Sequence, residues 1–222
     1  MKLVCISDTH GDHASVTLPA GDVLVHAGDV TAQGTELDWL RFLDWFGSRD
    51  FAHRVFVAGN HDRFPEAHPE RAARLAQEAG VTLLGDSGCS IDGLRFWGSP
   101  ITPRFLDWSF MRDPGAPIER HWAMIPLDTD VLVTHGPPFA ILDEVDRPGG
   151  SSEHVGCPSL ARRIAAVRPS LHVFGHIHEA HGAAERDGTR HLNVSTMNSG
   201  YRIANAPVTV DLPATAPGEP LR

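Results

Sequence analysis

Five short apolar runs set the frame for this chain: Leu3–Ile6, Val23–Ala27, Val55–Ala58, Val131–Val133 and Leu171–Phe174. None alternates with polar residues along its length. Continuous runs this short suit strands buried on both faces of a central sheet. The residues at the end of each run narrow the options further. The first run ends in Ser7-Asp8-Thr9-His10-Gly11 and the second in Gly28-Asp29. The third ends in Gly59-Asn60-His61-Asp62, the fourth in Thr134-His135-Gly136 and the fifth in Gly175-His176-Ile177-His178. Each carries Asp, Asn or His beside a glycine. Sites in parallel α/β sheets form at the carboxyl ends of the strands. Five loops on that edge can therefore deliver these side chains to one crevice.

Helical patterns lie between several runs. Thr35 with Asp38 makes a capping-box-like start, and Gly47 is a natural stop for the apolar stretch between them. A second helix is predicted from about Pro69 to Ala79, ending at Gly80. A third starts near Pro158 and ends before Arg168-Pro169. Asp92-Gly93 and Asp187-Gly188 each separate two strand-like segments, a two-residue hairpin signal, so the remaining strands are expected to be antiparallel. The sum is a layered α/β domain: two packed mixed β-sheets with helices outside. Residues 1–212 read as one domain, and residues 213–222, rich in Pro and Ala, as a flexible tail.

Composition excludes some functions. The 222 residues carry 19 Lys and Arg against 28 Asp and Glu, and no basic stretch could track a nucleic-acid backbone. A small phosphorylated substrate remains compatible with this charge, because bound cations can make one pocket positive on an acidic protein. No apolar run approaches the 18 or so residues of a membrane span, nor the core of a signal peptide. The odd, scattered Cys5, Cys89 and Cys157 suit reduced thiols. Together these predict a cytoplasmic protein with no membrane partner. Asn193-Val194-Ser195 is then an accidental glycosylation sequon.

The polar residues at the strand ends have a ligand chemistry. Imidazole suits zinc, iron and copper, while carboxylate and amide oxygens suit harder ions such as manganese. The mixed set of Asp, His and Asn therefore suits a pair of first-row divalent ions. Two ions about 3.5–4 Å apart need a bridging anion, and Asp29 is the natural carboxylate for that place. Taken singly, each motif is also a plausible turn or surface feature; their joint occurrence at five strand ends favours a site.

With these motifs in order, the chain resembles the calcineurin-like metallophosphoesterase superfamily. Trp97-Gly98-Ser99-Pro100, His135-Gly136-Pro137-Pro138 and Gly156-Cys157-Pro158 narrow the resemblance to the branch of metallophosphoesterase-domain-containing proteins, associated with phosphodiesterase activity that includes cyclic nucleotides. The resemblance implies a layered metallophosphoesterase fold and two divalent metal ions (Mn, Fe, Zn or similar). The first ion would take Asp8, His10, Asp29 and His178. The second would take Asn60, His135 and His176, with Asp29 bridging. His61 would face the substrate beside Asn60 as general acid, with Asp62 as its orienting partner. The implied activity is hydrolysis of a phosphodiester by a metal-bridging hydroxide. Phosphomonoester hydrolysis and a non-catalytic metal-binding scaffold are the alternatives. Trp97, Phe105, Trp108, Phe110 and Trp122 fall in one loop-rich stretch. They are expected chiefly to pack that stretch onto the core, although aromatics there could also stack a nucleobase.

Overall fold

The computed structural model describes residues 1–213, so the expected tail lies, from residue 214 on, outside the described residues. The first part of the chain runs β1 (Lys2–Ile6), β2 (Val23–His26), α1 (Glu36–Gly47), β3 (His53–Val57), α2 (Arg63–Ala67), α3 (Pro69–Glu78) and β4 (Thr82–Leu84). Next come β5 (Ser87–Ile91), β6 (Leu94–Ser99), the short β7 (Thr102–Pro103) and β8 (Met111–Arg112), α4 (Ala116–Ala123) and β9 (Val131–Thr134). The rest comprises a hairpin of β10 (Glu144–Arg147) and β11 (Ser151–His154), α5 (Pro158–Val167), β12 (Leu171–Phe174), β13 (Gly182–Arg186), β14 (Thr189–Asn193) and β15 (Val208–Asp211).

Two sheets result. One has the order β15-β1-β2-β3-β4, the other β13-β14-β12-β9-β6-β5. The unbroken apolar runs have a direct cause here, because alternate residues of each strand serve different layers. Leu3, Cys5, Val23, Val25, Val55 and Val57 of the first sheet face Phe96, Val131, Val133, Leu171 and Val173 of the second. Their neighbours Val4, Leu24 and Phe56 turn outward onto Trp39, Phe42 and Phe46 of α1. On the far side, Leu132 packs with Trp122 of α4 and with Leu160 and Ile164 of α5. The order of layers is thus helix, sheet, sheet, helix. Burying an aromatic such as Phe42 contributes roughly 1.5–3 kcal/mol, and cutting it to Ala would cost roughly 3–5 kcal/mol.

The helix signals translate directly. Asp38 N–H donates to Thr35 Oγ1 at 3.2 Å and Thr35 N–H to Asp38 Oδ2 at 3.4 Å, closing the capping box. Both two-residue turns form, with positive φ at Asp92, Gly93, Asp187 and Gly188. The strands around them depart from the expectation in one respect. β5 and β6 pair antiparallel, as do β13 and β14, but β6 lies parallel to β9 and β14 parallel to β12. A hairpin fixes only its own two strands; the outer partner is set by the layer it joins. Among the described residues, no helix is long and apolar enough to cross a membrane.

Candidate metal centre

The five strand ends meet on one edge of the sandwich, at the seam between the sheets. Three groups of ligating atoms form there, each within 4.8 Å: Asp8, His10 and His178; His10, Asp29 and His61; Asp29, His135 and His176. Asn60 joins them through Oδ1, 2.9 Å from His135 Nε2. All seven residues expected as ligands are therefore brought together, and His61 lies among them. Asp29 is common to two groups, the place a shared carboxylate would occupy.

The backbone is bent to achieve this. Asp8, His10, Asp29 and His176 have φ of 53°, 42°, 54° and 70°. Such left-handed conformations cost on the order of 1–3 kcal/mol each outside glycine and persist where the surroundings over-determine them. Here Asp8 N–H donates to Gly28 O at 2.9 Å and His10 N–H to Asp29 O at 3.0 Å, tying the first two loops together. His61 N–H donates to Asp29 Oδ1 at 2.7 Å, and His176 N–H reaches both Asp8 oxygens at 3.0 and 3.1 Å. Two glycines leave room for the carboxylates. A Cβ on Gly59 would overlap Asp29, and one on Gly175 would overlap Asp8.

Hydrogen bonds fix two histidine tautomers. His135 Nδ1 lies 2.9 Å from the Ala27 carbonyl and His178 Nδ1 lies 3.2 Å from the Asn198 carbonyl. A carbonyl only accepts, so both Nδ1 atoms carry hydrogen. In the neutral rings the lone pairs then sit on Nε2. His135 Nε2 faces Asp29 Oδ2 at 3.3 Å as well as Asn60 Oδ1. His178 Nε2 faces His10 Nε2 at 3.4 Å and Asp8 Oδ1 at 3.6 Å. Acceptors converge on acceptors at two places, and each place calls for a positive charge. A divalent ion at each fits these donor atoms, their burial and their mixed N/O chemistry.

Without cations, protons take up part of that demand. Burial alone would lower the His135 pKa, but the Asp29 carboxylate beside it lifts it to about 9. Burial also opposes the charged forms of Asp8 and Asp29. Even so, His178 and His135 hold Asp8, and His135 and His10 hold Asp29, well below the ordinary carboxylate range. Burial pushes His176 down to about 3 and His61 down to about 4, so both rings are neutral at pH 7.

One expectation needs correction. The Asp62 carboxylate does not orient the His61 ring. It accepts from Val30 N (3.2 Å), Thr31 N (2.9 Å), Thr31 Oγ1 (2.6 Å) and Gly59 N (2.8 Å). It therefore joins the loop after β2 to the loop after β3. Adjacent residues in a tight turn point apart, which is why neighbourhood in sequence did not become contact. The His61 ring packs instead on Trp108, centroids 4.1 Å apart, and edge-on to His10 at 4.5 Å.

A cleft of about 360 Å³ opens over the cluster, walled by Phe105, Trp108 and Tyr201. Tyr201 stands 5.1 Å from the His10 ring and 5.0 Å from that of His178; Phe105 stands 5.7 Å from His176. A second cavity of about 410 Å³ adjoins it past Phe105 and Val145, with Arg104 and Arg147 on its walls. The aromatic stretch thus divides. Trp97, Phe110 and Trp122 pack on the core, whereas Phe105 and Trp108 line the cleft. Tyr201 and Asn198 escaped the sequence reading. They follow the strand-like segment His191–Val194, which Asn193 interrupts, so no unbroken apolar run pointed to the loop Ser195–Tyr201. A larger cavity, about 620 Å³, lies by the opposite strand ends near Arg95 and Arg168, and holds none of the ligating groups.

Comparisons with known proteins agree with this geometry. The family model described as calcineurin-like phosphoesterase matches residues 1–180. Metallophosphoesterase domain-containing protein 1 of Homo sapiens is 34% identical over 234 residues, covering 96% of this chain and 71% of its own. A UPF0046 protein of Caenorhabditis elegans is 33% identical over 225 residues, covering 96% of this chain and 76% of its own. A crystal structure of a phosphopantetheinyl hydrolase from Mycobacterium tuberculosis shares the fold, with a TM-score of 0.64, 20% identity and 98% of each chain covered.

Proposed function

Because this chain belongs to the calcineurin-like phosphoesterase family, we propose that it is a metal-dependent hydrolase of phosphodiesters, with cyclic nucleotides as candidate substrates. The observation that carries the reading is the placing of Asp29 in two ligating groups at once, one with His10 and one with His135 and His176; His10 also groups with Asp8 and His178, and Asn60 adjoins His135. In this reading those residues hold two divalent ions. Such ions acidify a shared water and neutralise charge on phosphate oxygens.

The chain's own residues supply the rest. His135 and His178 present Nε2 because Ala27 and Asn198 hold their Nδ1 hydrogens. Asn60 and His61 border the cleft and meet the substrate. His61 donates a proton to the leaving oxygen, a role typically worth about 10²–10⁴ in rate. Its pKa of about 4 leaves the free ring without the extra proton at pH 7. The ring therefore takes up a proton from solvent as the anionic substrate binds, because the substrate's charge stabilises imidazolium. Phe105, Trp108 and Tyr201 exclude water and offer flat faces to a planar substituent. The cleft's volume suits a small ester rather than a polymer.

The test uses protein reconstituted with manganese and its metal content measured. Bis-p-nitrophenyl phosphate, p-nitrophenyl phosphate and a cyclic nucleotide are assayed in parallel. Faster turnover of the diesters is expected, lost on chelation. A preference for the monoester would replace the reading with a phosphatase. No turnover by chains carrying two ions would make the protein a scaffold.

A further inference from the structure

Two histidines outside the ligating cluster occupy matching places in the two sheets. His26 is the last residue of β2, beside β1; His172 lies in β12, beside β9. Both are fully buried on the outer faces of their sheets. His26 packs edge-on to Phe42 and Phe46, and His172 packs against Phe174. Each ring reaches across to a threonine at the end of the neighbouring strand. His26 Nε2 lies 3.0 Å from Thr9 Oγ1 and His172 Nε2 lies 2.8 Å from Thr134 Oγ1. Each threonine directly precedes a histidine of the ligating cluster, His10 in one sheet and His135 in the other.

The direction of these bonds is set by their surroundings. Gly28 N–H donates to His26 Nδ1 at 3.3 Å, so that nitrogen is bare and Nε2 carries the hydrogen. In the other sheet, the Thr134 hydroxyl spends its hydrogen on Gly136 O at 2.7 Å. Its oxygen must accept from His172 Nε2–H. The bare His172 Nδ1 then accepts from His191 Nδ1–H at 3.2 Å. Two independent networks thus enforce one tautomer, the neutral ring with hydrogen on Nε2.

We propose that His26 and His172 are positioning residues, each donating Nε2–H to the threonine that precedes a ligand histidine and so fixing one loop of the two-metal site. Thr9 lies between two left-handed residues, Asp8 and His10, where the backbone has the strongest tendency to relax. The His26 ring anchors that peptide from below and, through Gly28 N–H, also holds the loop that carries Asp29. The His172 ring fixes the Thr134-His135-Gly136 turn, which sets the approach of His135. His172 acts on the ion that His135 would hold, whereas His26 acts chiefly on the ion of His10 and, through the loop of the shared Asp29, more weakly on the other. The metal part of this inference rests on the two-ion reading above.

The test measures metal binding and ring chemistry, not turnover. Manganese is titrated calorimetrically into His26→Phe, His172→Phe and the double variant. Groups that hydrogen-bond a metal ligand directly are typically worth about 10–100-fold in affinity, and these rings act one residue further out, so the lower end of that range, about tenfold, is expected. Each single variant should weaken chiefly one of the two ions by that amount, His26→Phe affecting the other to a smaller degree; the double variant should weaken both. Gln at either position, with an amide donor of similar reach, should recover part of the loss. Thr9→Val and Thr134→Val should reproduce the two losses, and they carry the test if a Phe variant fails to fold. Ring ¹⁵N spectra of the wild-type protein should show hydrogen on Nε2 of both histidines. Hydrogen on Nδ1 of either, unchanged affinities in the Val variants, or equal weakening of both ions by each single variant would overturn the proposal. Wild-type protein binding fewer than two ions would overturn it together with the two-ion reading. Two ions bound without hydrolysis would remove the enzymatic reading and leave this one standing.

Discussion

His135 makes the metal-free and metal-loaded proteins respond to pH in opposite directions. In the free protein burial works to lower its pKa, yet the Asp29 carboxylate lifts it from an ordinary 6.5 to about 9. A raised pKa contributes stability that is complete below pH 6.5 and is lost as pH rises through 9. The gap between those values corresponds to on the order of 3 kcal/mol. Chelated protein should therefore lose stability to denaturant between pH 6.5 and 9. Metal binding runs the other way, because the ion must displace the Nε2 proton. At pH 7 that proton lowers apparent affinity about 100-fold relative to the unprotonated ring, close to tenfold per pH unit below the pKa. His178, held by Asp8 with its pKa also raised, steepens the dependence. Two assays check this: urea unfolding of chelated protein across the range, and calorimetric manganese titration in buffers of different ionisation enthalpy, which counts released protons. Constant stability of the chelated protein from pH 6.5 to 9, with no proton release at pH 7, would refute the electrostatic reasoning.

Four substitutions extend the test. Asp29→Ala should lower occupancy of both ions while His178→Ala lowers mainly one, as elemental analysis of the folded variants can show; full occupancy in Asp29→Ala would end its bridging role. His61→Ala should keep both ions yet lose about 10²–10⁴ in kcat, more on an alkyl ester than on a nitrophenyl ester whose leaving group needs little protonation; loss of a metal would instead place His61 among the ligands, beside which its ring lies. Gly175→Ala drives a methyl into the Asp8 carboxylate and Ser7, an overpacking expected to cost roughly 1–3 kcal/mol and to weaken the ion held by Asp8, read from melting and metal titration; a variant as stable and as metal-rich as wild type would contradict the close approach.

Five central strands, β1, β2, β3, β9 and β12, were legible because their burial on both faces leaves unbroken apolar runs, and their glycine-flanked ends marked the loops that carry ligating side chains. Less was legible where a residue's job depends on a partner far away in the chain. Asp62 reads as a companion of His61, yet its carboxylate serves backbone groups of the loop after β2. Trp97 and Trp108 look alike in sequence, but one packs on the core and the other lines the cleft. His26 and His172 sit inside apolar runs, where a histidine has no pattern to announce it. The β10–β11 hairpin is exposed on nearly every residue, so no buried periodicity marks it. Its base is fixed by one buried side chain, Asp143, which accepts from Ala140 N, Gly156 N and His154.

The seam that hosts the cluster also determines when in folding the cluster can exist. Asp8, His10, Asp29 and Asn60 come from strands of the first sheet, and His135, His176 and His178 from the second. The bond from His176 N–H to Asp8 spans 168 residues, and Leu212 N–H closes on Met1 O at 2.9 Å. Contacts so distant in sequence form late and slowly. Neither half of the chain can complete the ligand set of either ion, so tight metal uptake is expected to be an event of the finished sandwich. Refolding followed by a metal-sensitive dye would then report completion of the whole molecule, after far-ultraviolet dichroism has already recorded its helices. In the two-ion reading, ions bound at this seam would clasp the two sheets together, and chelation should speed their separation.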